Sequence, residues 1–229
     1  MESLSQIALF KSLPCDVLEA QSRRCQWRRY EANELVIDYE DDSRDVRFIV
    51  SGSVRIILRF ATGKEVILAE MKDNEFFGEI AAIDNEGRSA NVTTLQRSTV
   101  CVMPQAVFLE MLEGEPGINR QVMRILAKRV RYLNQRLAEH CFLQTKHRLY
   151  TELLRMSRPR LGHEGQRSIS PPPTQKDLAA RIGTRREVVS REIAKLKRDT
   201  IVDKTTGALI LTDLKRLNKL ISDGWTEDM

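Results

Sequence analysis

The periodicity of the hydrophobic residues changes at about Pro116, and this change divides the chain into regions that must fold differently. Before Pro116 the apolar residues lie in short segments rich in β-branched side chains, such as Val46 to Val50, which glycine-containing turns separate. Many short strands at close intervals predict a small antiparallel barrel or sandwich. We place this domain at residues 1–116 and expect short helical turns at its start.

A heptad seam follows Pro116. Alternating steps of three and four residues connect six positions, five of them apolar: Met123, Leu126, Val130, Leu133, Leu137 and His140. A helix with such a seam needs a partner surface, which is either the barrel of its own chain or the same helix in a second copy. We favour a parallel homodimer because the seam continues about four turns beyond the barrel domain. Residues 117–144 are therefore assigned to a dimerisation helix and a hinge.

The remaining residues, 145–229, predict a winged helix-turn-helix. Thr174 is an expected helix N-cap, and Asp177 stands where a capping box has its acid. Gly183 ends this helix, and a second helix is expected over about 185–198. Two helices joined by a glycine turn are typical of helix-turn-helix proteins. Residues 201–211 predict a β-hairpin, the wing, and residues 213–221 predict a closing helix.

The second helix of this motif carries polar residues that suit the major groove of DNA. The positions that share one face by three- and four-residue spacing are Arg186, Glu187, Ser190 and Arg191. Arginine reads guanine through two hydrogen bonds, and glutamate accepts from the cytosine amino group. Residues at helix N-termini suit phosphate contacts, and these are Thr174, Gln175 and Arg185. The alternative is a solvated charged face.

The charge distribution agrees with a polyanion as partner of the C-terminal region. Residues 1–117 carry a net charge of −7, whereas residues 118–145 carry +5 and residues 146–229 carry +7. An acidic front half and a basic back half indicate different partners for the two halves. A solvated basic surface is the alternative that charge alone leaves open.

A further motif lies in the barrel domain, where the string Phe76-Phe77-Gly78-Glu79-Ile80-Ala81-Ala82 precedes Gly87-Arg88-Ser89-Ala90-Asn91-Val92. Gly78 permits close backbone approach, and a helical turn after it directs N–H groups toward an anion. Arg88 can bind two phosphate oxygens, and Glu79 can accept from a sugar hydroxyl. Enclosed by apolar Ile80, Ala82 and Val92, these groups fit a nucleotide with one phosphate. A structural Glu79–Arg88 ion pair is the alternative.

The string resembles the phosphate-binding cassette of cyclic nucleotide-binding domains. Almost the whole chain resembles the cyclic-AMP receptor (catabolite activator) branch of the bacterial regulators that also include the FNR type. The resemblance implies an α+β protein with an N-terminal cyclic nucleotide-binding β-roll, a long dimerisation helix and a C-terminal winged helix-turn-helix. It implies a regulator, either an activator or a repressor, that takes cyclic AMP, or cyclic GMP, as allosteric ligand and uses no metal. The expected partners are palindromic double-stranded DNA, a second copy of the chain and RNA polymerase.

The resemblance also assigns residues to the ligand. Glu79 takes the ribose 2′-hydroxyl, and Arg129 links the long helix to Glu79. The remaining ligand-binding positions are Gly78, Ile80, Ala81, Arg88 and Ser89 around the cyclic phosphate, and Leu133 and Asn134 near the base. Leu133 and Asn134 stand where the cyclic-AMP receptor has two small hydroxyl residues, so this chain departs from the family there. Arg186, Glu187 and Arg191 match the base-reading residues of the family.

Several classes of protein are disfavoured. No Ser/His/Asp, Cys/His, metal or paired-carboxylate constellation appears, which argues against an enzyme. The four cysteines lack metal-ligand spacing and are expected to be small buried hydrophobes in a cytoplasmic protein without a membrane segment. A channel-type nucleotide sensor would share the cassette but lack the helix-turn-helix. The remaining alternative is a regulator of the same fold that responds to another small ligand or is active without one.

Overall fold

The computed structural model describes residues 3–226. The chain begins with two short 3-10 turns and helix α1 (Cys15–Ser22). These turns form because their apolar residues are buried against the barrel core, where Leu4 and Phe10 have no exposed surface. The expected helical turns at the start of the chain are therefore confirmed.

Eight strands then form two four-stranded antiparallel sheets. The strands are β1 (Gln26–Tyr30), β2 (Leu35–Ile37), β3 (Val46–Ser51), β4 (Ser53–Arg59), β5 (Glu65–Lys72), β6 (Phe76–Phe77), β7 (Asn91–Thr94) and β8 (Ser98–Met103). The strand order is β1-β8-β3-β6 in one sheet and β2-β7-β4-β5 in the other. The predicted small antiparallel β-domain is confirmed as a β-roll.

Aromatic packing joins the roll to the helices around it. Helix α2 (Glu79–Asp84) follows β6, and helix α3 (Gln105–Gly114) follows β8. The Phe48 ring lies 5.0 Å from the ring of Phe10, 5.4 Å from that of Phe76 and 6.4 Å from that of Phe108, measured between centroids. Edge-to-face and tilted contacts at these distances stabilise aromatic cores.

Helix α4 (Pro116–Phe142) is continuous over 27 residues. Its first turns pack on the roll of the same chain, since Ile118 and Val122 are buried and Leu126 is half-buried against that core. Four seam residues remain 52–63% exposed: Met123, Val130, Leu133 and Leu137. Packing on the chain's own barrel therefore accounts for the beginning of the helix and leaves most of the seam without cover.

The chain divides into two compact units, and the division falls within α4 after Arg129. The second unit contains α5 (Thr145–Met156), β9 (Arg158–Pro159), β10 (Arg167–Ile169), α6 (Gln175–Ile182), α7 (Arg186–Arg198), β11 (Val202–Lys204), β12 (Leu209–Leu211) and α8 (Leu214–Thr226). Its four strands form a sheet in the order β11-β12-β10-β9. The predicted helix-turn-helix and wing are confirmed.

Some predicted boundaries were wrong. Strands β9 and β10 were not predicted, because they are only two and three residues long; β10 pairs with β12, and β9 pairs with β10. Helix α7 begins at Arg186, and Arg185 is its extended N-cap residue. Helix α8 continues to Thr226, beyond the predicted end at residue 221, because Leu217 and Gly224 are buried on its inner face. Within residues 3–226, no helix has the length and apolar character needed to cross a bilayer.

Candidate functional site: a nucleotide cassette and a helix-turn-helix

The cassette begins with a backbone turn that only glycine fits well. Gly78 has φ +84° and precedes α2 as its N-cap residue. A Cβ atom at this position would lie 2.8 Å from Arg88 Nη1 and 2.8 Å from the Asp45 carbonyl oxygen. A larger residue would therefore suffer both backbone strain and a collision with the cassette arginine. Gly78 keeps the space in which Arg88 lies.

The cassette glutamate is buried and paired with the long helix. Glu79 is 2% exposed, and its Oε1 atom lies 2.6 Å from Arg129 Nη1. Arg129 also donates to the Phe76 carbonyl oxygen at 2.7 Å, and its guanidinium lies over the Phe76 ring. The alternative Glu79–Arg88 ion pair is therefore wrong, because Arg129 takes the carboxylate instead.

The cassette arginine is buried among neutral acceptors. Arg88 is 4% exposed and donates to Gly78 O at 3.2 Å, Ser43 Oγ at 2.7 Å and Asp45 O at 3.1 Å. Its Nε atom is buried without a hydrogen-bond partner among the described residues. Burial, with the nearby positive charge of Arg47, lowers the pKa of Arg88, although a guanidinium still remains a cation. The site therefore contains a desolvated cation with an unused donor, which suits an anion.

The loop between β2 and β3 orients that arginine. The Ser43 amide donates to Asp41 Oδ1 at 2.7 Å, which fixes the hydroxyl that receives Arg88. This hydrogen bond, together with the charges of Arg47 and Arg88, lowers the pKa of Asp41. Sequence reasoning missed Ser43, Asp41 and the buried Arg47. The only local signal was a charged residue, Arg47, inside the apolar segment Val46 to Val50.

The other cassette residues are divided between interior and surface. Ala81, Ala82 and Val92 are buried. Ile80 is 48% exposed and Ser89 is also exposed, so their contacts with a ligand stay a prediction. The division within α2 follows from helical geometry: Ile80 projects from the solvent side of α2, whereas Glu79 and Ala82 project inward.

Leu133 and Asn134 lie on exposed faces of α4, one turn beyond Arg129 and in the second compact unit. His140, the last seam residue, instead contacts its own chain: its Nδ1 atom lies 3.2 Å from Arg148 Nη1. A Cβ atom at Gly183 would lie 3.2 Å from the His140 ring. Burial and the Arg148 charge lower the pKa of His140. The His140 ring therefore contacts its own unit, and its assignment to the dimer interface stays a prediction.

The end of α4 is bound to the helix-turn-helix by buried ion pairs that the sequence did not predict. Glu139 and Glu152 are 3% and 2% exposed. Arg155 Nη2 lies 2.5 Å from Glu139, Arg136 Nη1 lies 2.5 Å from Glu152, and Arg155 also pairs with Glu152. Arg136 further donates to the Arg181 carbonyl oxygen of α6. Because breaking one partner leaves a buried charge, this cluster holds the helix end rigidly against α5 and α6.

The helix-turn-helix has the local geometry expected from its sequence. Thr174 caps α6 by accepting from the Asp177 amide at 3.0 Å. The Asp177 carboxylate in turn accepts from the Thr174 hydroxyl at 2.9 Å. Gly183 has φ +65° and ends α6. Val189, Ile193 and Leu196 are the buried face of α7.

The opposite face of α7 gathers the predicted base-reading residues. One shallow recess of about 300 Å³ is lined by Gln175, Arg186, Glu187, Ser190 and Arg191. Arg186, Glu187 and Arg191 are exposed, and so are Thr174 and Arg185 at the two helix N-termini. The structure thus brings five of the seven predicted DNA-binding residues into one recess, and the DNA contacts of Thr174 and Arg185 stay a prediction. Among residues 3–226, no cluster of three or more His, Cys, Asp or Glu side chains forms a candidate metal site.

Comparison with known families agrees with both halves of this description. Residues 27–115 match the cyclic nucleotide-binding domain family, and residues 147–220 match the Crp-like helix-turn-helix domain family. The fold and the two sites therefore define a DNA-binding transcription regulator that carries a cyclic nucleotide-binding domain, and not an enzyme.

Similar proteins cover 78–94% of this chain. A "CRP-like cAMP-activated global transcriptional regulator" of Mycobacterium tuberculosis is 24% identical over 94% of this chain and 97% of its own length. The "cAMP-activated global transcriptional regulator Vfr" of Pseudomonas aeruginosa is 26% identical over 78% of this chain and 85% of its own length. A CooA mutant from Carboxydothermus hydrogenoformans has the same fold, with a TM-score of 0.75, 18% identity and coverage of 87% and 88% of the two chains. This chain belongs to the CRP/FNR family.

Proposed function

We propose that this protein is a homodimeric transcription regulator that binds a palindromic DNA site when cyclic AMP occupies the cassette, with cyclic GMP as a second ligand. The observation that carries the proposal is the buried Arg88 guanidinium with its unused Nε donor, beside the glycine turn of Gly78. A desolvated cation in a mostly apolar roll fits the single phosphate of a cyclic nucleotide. Relatives of similar length are named as cAMP-activated regulators.

Each cassette group has a role in this proposal. Arg88 and Ser89 hold the cyclic phosphate together with the backbone N–H groups of Ile80 and Ala81. Glu79 accepts from the ribose 2′-hydroxyl, for which its second oxygen is suited because Arg129 is bonded to Oε1. The Glu79–Arg129 pair connects the ligand to α4 within the first compact unit.

The exposed apolar seam supports the homodimer. Four large apolar side chains remain exposed at heptad positions of α4: Met123, Val130, Leu133 and Leu137. Burying them against the same residues of a second copy removes apolar surface from water, at roughly 25 cal/mol per Å². In such a dimer the two α4 helices lie side by side, so Leu133 or Asn134 of either copy can contact the base.

The DNA proposal rests on the exposed face of α7. A dimer presents two recognition helices, which read two half-sites about 34 Å apart along the duplex. The half-sites contain G·C pairs because arginine prefers guanine and glutamate accepts from cytosine. RNA polymerase is the proposed protein partner that converts binding into activation.

Binding to DNA with and without ligand tests the proposal directly. Fluorescence anisotropy of a labelled palindromic duplex is measured with no nucleotide, with cyclic AMP, with cyclic GMP and with non-cyclic AMP. We expect specific binding to tighten at least about tenfold with cyclic AMP, since a ligand shifts the equilibrium by its differential affinity for the two states. Equal DNA affinity in all four conditions contradicts ligand control and supports a regulator that is active alone or answers to another small ligand.

Sedimentation of a seam variant tests the homodimer. Leu137→Asp would bury a charge at the seam, so we expect it to sediment as a monomer at concentrations where the parent is a dimer. Lys128→Asp, at an exposed position of α4 outside the seam, is the matched control and should remain a dimer. A dimeric Leu137→Asp protein would rule out this interface.

A further inference from the structure

Two of the four cysteines lie side by side in the β-roll. The register of β1 and β8 places Trp27 opposite Cys101, and Cys25, at the bend two residues before Trp27, packs against the core cluster that contains Cys101. The Cys101 thiol lies near enough to Cys25 to influence its pKa, and the Cys25 thiol donates to the Gln21 carbonyl oxygen at 3.3 Å. The expectation that all four cysteines are buried was wrong, since Cys15 and Cys141 are exposed and Cys25 is half-buried.

The two thiols of this pair have different access to solvent. Cys101 has no exposed surface and is part of the apolar core, whereas Cys25 is half-buried at the bend that precedes β1. The neighbouring Cys101 thiol, with the charge of Arg24, lowers the pKa of Cys25 against the opposing effect of burial. A thiolate is the reactive form of cysteine, so Cys25 is the member that a small oxidant meets first.

We propose that Cys25 and Cys101 form a reversible intrachain disulfide when the protein is exposed to a hydroperoxide. The position of Cys25 outside the regular strand supports this pairing, because a bend adjusts more easily than a paired strand to the geometry that a disulfide requires. The role of this thiol pair is independent of the nucleotide and DNA sites, so it stands whether or not the proposed function is correct.

The chemistry has two steps. The Cys25 thiolate attacks the peroxide, an S–O bond forms as the O–O bond breaks, and the alkoxide or hydroxide leaves with a proton as alcohol or water. The Cys101 sulfur then attacks the sulfenic sulfur of Cys25, the S–S bond forms as the S–O bond breaks, and the hydroxyl takes the Cys101 proton and leaves as water. Two thiols give two electrons to one hydroperoxide, which is the ordinary route to a protein disulfide.

Peptide mapping of the full-length protein tests this proposal. The protein is treated briefly with hydrogen peroxide, denatured in N-ethylmaleimide and digested with trypsin without reduction. Cleavage at arginine releases Cys25 in residues 25–28 and Cys101 in residues 98–120. We expect these two peptides linked, two of the four thiols lost, and Cys15 and Cys141 alkylated as in the untreated protein. Dithiothreitol should restore all four thiols.

Matched variants identify the attacking and resolving thiols. Cys15→Ser/Cys141→Ser should still form the linked peptides. Cys25→Ser changes a half-buried residue and should abolish the linkage while Cys101 stays alkylated. Cys101→Ala should leave Cys25 as a sulfenic acid that dimedone traps. Alkylation of all four thiols after peroxide, a linkage through Cys15 or Cys141, or a Cys25 sulfinic acid beside an intact Cys101 thiol would each overturn the proposal.

Discussion

The nucleotide cassette and the DNA-reading face of α7 place their charged residues in opposite environments. Glu79 and Arg88 are 2% and 4% exposed, and each is already hydrogen-bonded within the protein. Arg186, Glu187 and Arg191 are exposed around a shallow recess. A small ligand can be enclosed, so its partners are preorganised in a desolvated site. A duplex cannot be enclosed, so its partners must reach outward from a rigid helix.

This difference sets the size of the effects that substitution should have. A buried charge that loses its partner keeps the full cost of desolvation, whereas an exposed charge returns to water. We therefore expect cassette variants to lose ligand affinity strongly. Variants of α7 should lose less affinity, and the loss should depend on the DNA sequence.

The largest effect is expected for Arg88→Leu. The change removes the charged partner of the phosphate, and hydrogen bonds to charged groups contribute roughly 1.5–3 kcal/mol each. Two such bonds correspond to a loss of cyclic AMP affinity of at least about 100-fold. Isothermal titration calorimetry measures this change.

Arg97→Leu, at an arginine whose side chain is 74% exposed, is the control and should bind like the parent. Thermal unfolding of both variants shows whether the loss of the bonds to Gly78 and Asp45 also destabilises the roll. An Arg88→Leu protein that is folded and binds cyclic AMP normally would remove the basis of the cassette assignment.

A smaller and sequence-dependent effect is expected for Arg186→Ala. Loss of one bidentate contact to guanine should cost about 1–3 kcal/mol and relax the preference at a single base pair. Binding to a set of duplexes with single substitutions measures it. Lys195→Ala, an exposed residue in the last turn of α7, serves as the control. A uniform loss on every duplex would make Arg186 a phosphate contact and weaken the contrast between the two sites.

Ser43→Ala examines how far the cassette is preorganised by its own loop. Ser43 accepts from Arg88 at 2.7 Å, so its removal should leave the guanidinium less well oriented without removing its charge. We expect cyclic AMP affinity to fall about 3- to 10-fold, the size of one modest hydrogen bond. Titration calorimetry compares this variant with Ser5→Ala, an exposed serine outside the cassette. Unchanged affinity would mean that Ser43 orders only the loop.

The smallest effect is expected for Asn134→Ala, and it concerns selectivity. An asparagine amide can accept from the adenine amino group or donate to the guanine oxo group, whereas Leu133 can do neither. We expect the ratio of cyclic AMP to cyclic GMP affinity to change by a few-fold, about 1 kcal/mol. Calorimetric titration of both nucleotides measures the ratio. If the ratio is the same in the parent and the variant, Asn134 does not read the base.

The sequence by itself determined the parts of this protein that follow from local pattern. Short β-branched segments predicted a small antiparallel barrel or sandwich, the glycine turn and its flanking helices predicted the helix-turn-helix, and the cassette string predicted Gly78, Glu79 and Arg88 as neighbours. These features depend on residues a few positions apart, where propensity and spacing suffice.

Only the tertiary structure decided which distant residues meet. Glu79 pairs with Arg129, fifty positions along the chain, instead of with the nearby Arg88. The Ser43 hydroxyl accepts a hydrogen bond from Arg88, which lies 45 positions further along the chain. Strand β10 forms by pairing with β12. Periodicity carries no information about such pairings, because each depends on how folded elements bring their backbones together. Buried charges in particular select their partners by the geometry of the finished core, not by their separation in sequence.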